Sequence, residues 1–303
     1  MDEQGRLAER FEPHRSHLRA IAYRMLGSSS DADDAVQEAW LRLSRTDTSE
    51  VANLAGWLTT VVSRICLDML RARAARREDL VGQQLPDDLH HPDNDQGGAH
   101  NRPSDDPEHE ALLIDSVGRA LLVVLDTLTP AERIAFVLHD LFAVPFQQVA
   151  PIVERSPTAT KKLASRARHK VRGTPVVSAA ELARHRHVLD AFLAAARSGD
   201  MAGLLAVLAP DVVRRADPAV LPPGAQTEVR GAQAVAKHTL AFGRKSKFGA
   251  PALINGAVGI VVAPHGRLLL AVAVTVQDDQ VTAYDVIADP ARLRGLDLAL
   301  LDR

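Results

Sequence analysis

The sequence predicts a multidomain chain: two all-α domains followed by a C-terminal α+β domain. Three observations predict it. Apolar residues recur at helical spacing from residue 6 to residue 173, with one long interruption. That interruption, residues 79–110, is rich in acids, proline and glycine. Beyond about residue 208 the helical period gives way to short β-branched runs separated by turn signals.

Residues 6–78 read as the first helical domain. Leu7, Phe11, Leu18, Ile21, Ala22, Met25 and Leu26 form one apolar face, and Gly27-Ser28-Ser29-Ser30 breaks it. Asp31 is the expected cap of the next helix, whose buried side is Ala35, Val36, Ala39, Trp40 and Leu43. Asp33, Asp34, Gln37 and Glu38 make an acidic outer surface near its start. The helix dipole alone favours acids there, and the same face suits a basic partner. From Asn53 to Glu78 a long helix buries Trp57, Leu58, Val61, Val62 and Ile65, then turns basic at Arg71, Arg73, Arg76 and Arg77.

Residues 79–110 cannot bury enough apolar surface to fold alone and read as a flexible acidic linker in which Arg102 is the only Lys or Arg. Residues 111–173 form the second helical domain. Thr129-Pro130 is a helix start, Pro145 opens a second short helix, and Ser156-Pro157 opens a third that ends at Gly173. From Arg155 to Gly173 there are seven Lys or Arg and no acid. Leu163, Ala167 and Val171 should face the protein. Thr158, Lys161, Lys162, Ser165, Arg168, His169 and Arg172 surround the remaining surface, with Thr160 in the same polar opening turn. A charge run of this kind is often only a solvated face. Behind a helix and a tight break, it suits a helix laid in a DNA groove, its cations on phosphates and its short polar groups on base edges.

Residues 179–303 start with the helices ELARHRHVLDAFLAAARSGD and MAGLLAVLA. DVVRR, ALINGAVGIVVAP, RLLLAVAVTVQDDQ and QVTAYDVIADP then read as strands, which gives a curved sheet wrapped on helices. Composition bounds the rest. The formal net charge of −2 hides segregated basic and acidic blocks, and aromatics at 4% leave little for a base-stacking platform. One cysteine, Cys66, excludes an internal disulfide framework and reads as a small buried residue in a reducing cytosol. No secretion signal and no membrane-length apolar run is visible, so a cytoplasmic protein without metal or cofactor is expected.

YRMLGSSSDADDAVQEAWLRL (23–43) with GWLTTVVSRICLDMLRARAARRE (56–78) resembles region 2 of an extracytoplasmic-function RNA polymerase sigma factor. RSPTATKKLASRARHKVR (155–172) resembles the recognition helix of region 4. Residues 179–303 resemble the SnoaL-like domain, a cone-shaped α+β barrel with a pocket, fused to one branch of these factors. In that branch a linker motif appears here as LVGQQLPDDL (80–89), where Val81, Gly82, Leu85 and Pro86 match while Leu80, Gln84, Asp87 and Asp88 depart. A terminal motif appears as Asp289-Pro290-Ala291-Arg292-Leu293, and a glycine-rich turn is replaced around Asp217-Pro218-Ala219.

The resemblance implies a promoter-specific transcription initiation factor, not an enzyme. Asp33, Asp34, Gln37, Glu38 and Leu41 would dock on the clamp helices of the polymerase largest subunit, and region 4 on the flap of the second-largest. Ser63, Arg64, Asp68, Arg71, Arg73, Arg76 and Arg77 would lie at the −10 element. Thr158, Thr160, Lys161, Lys162, Ser165, Arg168, His169 and Arg172 would lie at the −35 element. The acidic linker would thread the polymerase RNA channel. The C-terminal domain would contact the other two, with Asp289, Pro290 and Leu293 as a regulatory tail motif and an unidentified small ligand as a partner. Two other classes compete. One is an enzyme using Asp217, His238, Tyr284 or Asp285 as acid or base, for which no triad or metal spacing is present. The other is a ligand-responsive helix-turn-helix regulator, which leaves region 2 and the acidic linker unexplained.

Overall fold

The computed structural model describes residues 3–46, 51, 53–79, 116–222, 224–241 and 248–301. The acidic linker motif at 80–89 and the rest of the segment to 110 lie outside them, as does the side chain of Arg77. Among the described residues the chain divides into two compact units, Met1–Gly82 with Leu125–Lys170, and Gln83–Val124 with Val171–Arg303.

The first unit begins with α1 (Glu3–Leu26), α2 (Ser29–Leu43) and α3 (Leu54–Asp79). Phe11, Leu18, Ile21 and Met25 of α1 are buried, as are Ala35, Val36, Ala39 and Leu43 of α2 and Leu58, Val62 and Ile65 of α3. Gly27 makes the elbow at φ 73°, a left-handed conformation that glycine adopts without Cβ strain. Asp31 does not cap α2. Ser28 does, accepting from the Asp31 amide at 3.4 Å, because the helix starts three residues earlier than a cap at Asp31 implies. The Asp31 carboxylate instead pairs with Arg73 of α3, whose guanidinium also donates to the Leu26 carbonyl at 3.1 Å. Cys66 is fully buried, and burial pushes its thiol up to about 12, so it is inert at neutral pH.

Helix α4 (Ser116–Asp126) leads to α5 (Pro130–Phe136), which Thr129 opens with a complete capping box to Glu132. The helix expected to continue to Leu141 changes to a π-turn over Val137–Leu141. Short α6 (Phe146–Val149) and then α7 (Pro157–Arg172) follow. Glu154 occupies φ 56° in the turn, and the Ser156 hydroxyl accepts from the Ala159 amide at 3.2 Å.

The second unit carries α8 (Ala179–Ser198), α9 (Met201–Val207), α10 (Ala232–Ala241), α11 (Pro290–Arg294) and a seven-stranded sheet. The strands are β1 (Leu208–Ala216), β2 (Glu228–Arg230), β3 (Gly249–Ile254), β4 (Ala257–Val262), β5 (Leu270–Gln277), β6 (Gln280–Ile287) and β7 (Leu298–Leu300). Their order is β2-β1-β6-β5-β4-β3-β7, antiparallel except for the β1–β6 pair. The expected barrel is therefore an open sheet, with β2 and β7 at its two edges. The run 252–264, read as one strand, is a hairpin turning at Asn255-Gly256, both at positive φ as a tight two-residue turn requires. Helix α8 packs Val188, Leu189, Phe192 and Leu193 into the core formed with β1, β4, β5 and β6.

Candidate nucleic-acid interface and buried pocket

Helix α7 sorts its side chains into two stripes. Thr160, Ala164, Ala167 and Val171 are buried. Thr158, Lys161, Lys162, Ser165, His169 and Arg172 are exposed, and their spacing of three or four residues puts them on one face. The buried member Thr160 corrects its expected role at DNA: it is fully enclosed, and its hydroxyl donates to the Ser156 carbonyl at 2.9 Å. Arg168 lies off the exposed stripe, half-buried, with its Nε 3.4 Å from the Asp140 carboxylate.

On the flank, Arg166 and Lys170 reach the buried carboxylate of Glu132 at 3.0 and 3.1 Å. Thr129 donates to the same carboxylate from its amide at 3.2 Å and its hydroxyl at 3.0 Å. Burial alone would raise the Glu132 pKa, but these four donors hold it below the usual carboxylate range. One acid thus caps α5 and fixes the rotation of α7, which keeps the lysine stripe facing outward.

The residues expected at the −10 element do not act as one set. Ser63 is fully buried in the helical core, which corrects its expected role at DNA. Arg73 is committed to Asp31 and Leu26, which corrects its role likewise. Arg64, Asp68, Arg71 and Arg76 are exposed along α3. Arg64 donates to the Pro151 carbonyl at 3.4 Å, and Arg71 pairs with Glu154 at 3.2 Å. On α2, Asp34, Gln37, Glu38 and Leu41 recur at helical spacing on one outer face, and Leu41 is one of the few exposed large apolar side chains. Asp33 is held by Arg19 at 2.7 Å and Glu38 by Arg42 at 2.9 Å.

In the second unit Asp289 caps α11, accepting from the amides of Ala291 and Arg292 at 2.9 Å each. Pro290 starts that helix, and Leu293 continues it half-buried. Asp217 locks the turn in place. Its carboxylate accepts from the amides of Ala288 and Asp289 at 2.9 Å each and pairs with Arg292. Burial would raise its pKa, but the two amides and the guanidinium hold it below the ordinary Asp value. Asp217 is therefore a structural latch, not a pocket acid, and Asp285 is set against Arg215 at 3.9 Å, away from the pocket lining.

A cavity of about 100 Å³ lies between α8, α10 and the sheet. Phe192, Leu193, Ile260, Val262, Leu270 and Val272 give it apolar walls. Its polar lining is Arg214, His238, Thr239 and Tyr284. Tyr284 and Thr239 share a hydroxyl hydrogen bond of 2.8 Å, and the Phe192 and Tyr284 rings lie 5.6 Å apart. Burial raises the Tyr284 pKa and lowers that of Arg214. Sequence reasoning passed over Arg214. Strand alternation could have found it, because it falls between Val212 and Ala216 on the core face of β1. Among the described residues no cluster of three or more His, Cys, Asp or Glu could hold a metal ion.

Residues 10–76 match the family described as Sigma-70 region 2, and residues 118–171 the family described as Sigma-70, region 4. The ECF RNA polymerase sigma factor SigJ of Mycobacterium tuberculosis is 38% identical over 298 residues, covering 94% of this chain and 92% of that one. The probable ECF RNA polymerase sigma factor SigI of the same species is 36% identical over 220 residues, 72% of each chain. Among solved structures, the crystal structure of M. tuberculosis SigJ aligns over 95% of this chain and 98% of its own, at 34% identity and a TM-score of 0.44.

Proposed function

Because the chain belongs to the extracytoplasmic-function branch of the sigma-70 family, we propose that its exposed α7 stripe reads the −35 element of promoters while the chain is bound to RNA polymerase core. The chain is a sigma factor that directs transcription initiation. The observation that carries the −35 assignment is the division of α7. Thr158, Lys161, Lys162, Ser165, His169 and Arg172 face outward, with no acid in the helix, while Glu132 anchors the flank. Lysines suit phosphate neutralisation, and Thr158 and Ser165 are short enough to reach base edges in a major groove.

Among the described side chains, Arg64, Asp68, Arg71 and Arg76 are the −10 candidates that remain accessible. Arg64 and Arg71 hold Pro151 and Glu154, so those contacts must part before α3 meets DNA. The Arg71–Glu154 pair is exposed on both sides, and such pairs contribute about 0–1 kcal/mol, which polymerase docking easily exceeds. Asp34, Gln37, Glu38 and Leu41 form the face for the clamp helices of the largest subunit, an acidic rim around one apolar contact, and region 4 takes the flap of the second-largest. The site of action is the cytoplasm, and no described helix is long and apolar enough to cross a membrane.

The C-terminal unit acts as a ligand-responsive module on this activity, not as an enzyme. Among the described residues its pocket lining offers no Asp or Glu to work with His238 or Tyr284 in proton transfer. Promoter binding by holoenzyme tests the central assignment. Lys161→Ala and Lys162→Ala should each lower the slope of log affinity against log salt by about 0.9. An unchanged slope in the double variant would remove α7 from the DNA.

A further inference from the structure

We propose that the cavity of the C-terminal unit is a binding site for a small organic monoanion, a carboxylate or similar acid group carried on a short branched or single-ring hydrocarbon, with Arg214 as its head-group partner. This deepens the reading that the C-terminal unit responds to a ligand, and names that ligand's chemistry. Phe192, Leu193, Ile260, Val262, Leu270 and Val272 offer an incoming molecule only apolar surface, so the body of the ligand is hydrocarbon. The volume of about 100 Å³ sets its size. Cavities of roughly 150 Å³ lined by such side chains take up benzene, so here a fused-ring body is too large, a short branched chain fits whole, and a single ring fits with part of its edge in the cavity's open mouth.

The polar end is equally restrictive. The lining has one guanidinium, one imidazole, the hydroxyls of Thr239 and Tyr284, and no acid among the described residues. Arg214 is 2% exposed, and a guanidinium stays charged at neutral pH even where burial lowers its pKa. A guanidinium in such a lining is matched to a carboxylate in charge and shape, through charge-assisted, fork-shaped hydrogen bonding, and a cationic ligand would be repelled. The Thr239–Tyr284 pair stands beside the same wall; Thr239 donates to the Val235 carbonyl at 2.9 Å, so Tyr284 is the donor of the pair, and its proton can turn from Thr239 to the ligand's second oxygen. Because α8, α10 and four strands all contribute lining, occupancy would tighten the whole unit rather than one loop.

The test is calorimetric titration of the full-length chain with benzoate and isovalerate, against benzamide and benzylammonium as neutral and cationic counterparts. The carboxylates should bind saturably, with benzoate at least tenfold tighter than benzamide and benzylammonium not binding. Arg214→Gln should abolish the preference for benzoate over benzamide. Ala196→Leu, which fills the cavity and leaves Arg214 in place, should abolish binding of all probes while circular dichroism stays unchanged. Equal affinity for benzoate and benzamide would overturn the anion assignment. Failure of every probe to bind, or binding indifferent to Ala196→Leu, would overturn the site itself. Adding benzoate to promoter-directed transcription is a separate readout. Binding without any change in transcript yield would leave the pocket standing and remove the ligand-responsive role.

Discussion

Replacing Glu132 tests whether one buried carboxylate orients the DNA-reading helix. In Glu132→Gln one carboxylate oxygen becomes an NH2 donor, so only one of the two bonds, to Arg166 or to Lys170, can persist, and it persists without its charge. Those partners are 60% and 45% exposed, so each bond contributes about 0–1 kcal/mol rather than the full value of a buried ion pair. In Glu132→Ala the capping box on Thr129 also disappears, which costs about 1 kcal/mol more. The sums are about 1 kcal/mol for Gln and about 2–3 kcal/mol for Ala. Native-state amide exchange of residues 157–170 in the full chain reads this directly, since each 1.4 kcal/mol is a factor of about ten in protection. The expected losses are under tenfold for Gln and about thirtyfold to one-hundred-and-fiftyfold for Ala. The pH dependence has a definite sign. The folded pKa of Glu132 is depressed, so its contribution is complete above the unfolded carboxylate value of about 4.3 and is lost as pH falls through the folded one. Protection of α7 in Glu132→Ala equal to that of the parent chain at neutral pH would refute the anchoring role.

The remaining predictions concern the other two functional surfaces. Asp217→Ala strands the amides of Ala288 and Asp289 and should cost about 3 kcal/mol of C-terminal-unit stability, with Asp217→Asn costing less because an acceptor oxygen remains; denaturant melts of the full chain measure both. The parent's own latch, with its depressed folded pKa, should be complete above about pH 3.9 and weaken as pH falls below it. Asp34→Ala combined with Leu41→Ala should weaken binding to polymerase core at least tenfold without changing helicity, and an unchanged affinity would clear the α2 face of any docking role.

Much of the helical architecture was legible because long amphipathic helices carry their period openly. The three helices of the first domain, the capped start at Thr129-Pro130 and the stop at Gly173 all follow from spacing and punctuation. The buried stripe of α7 was misjudged by one residue. It is centred on Ala164 and completed by Thr160, and small or hydroxylated side chains give little apolar signal. Ser63 was misjudged for a similar reason: nothing in its own chemistry reveals that it is fully buried, as Val62 and Cys66 are. The β3–β4 hairpin was hidden because nearly every residue on both strands is apolar and buried, so no alternation marks the two arms, although Asn255-Gly256 names the turn. Helix α10 has only Val235 and Ala236 fully buried, too few to show a helical period. The latch of Asp217 on residues 288 and 289 joins positions some seventy residues apart, and no local pattern reports it.

The most direct measurement is run-off transcription from a cognate promoter with purified RNA polymerase core, with and without the full-length chain. The account predicts transcripts that start at the promoter only when the chain is present, and a marked fall with Lys161→Ala/Lys162→Ala. Absence of promoter-directed RNA with core, chain and promoter together would contradict it.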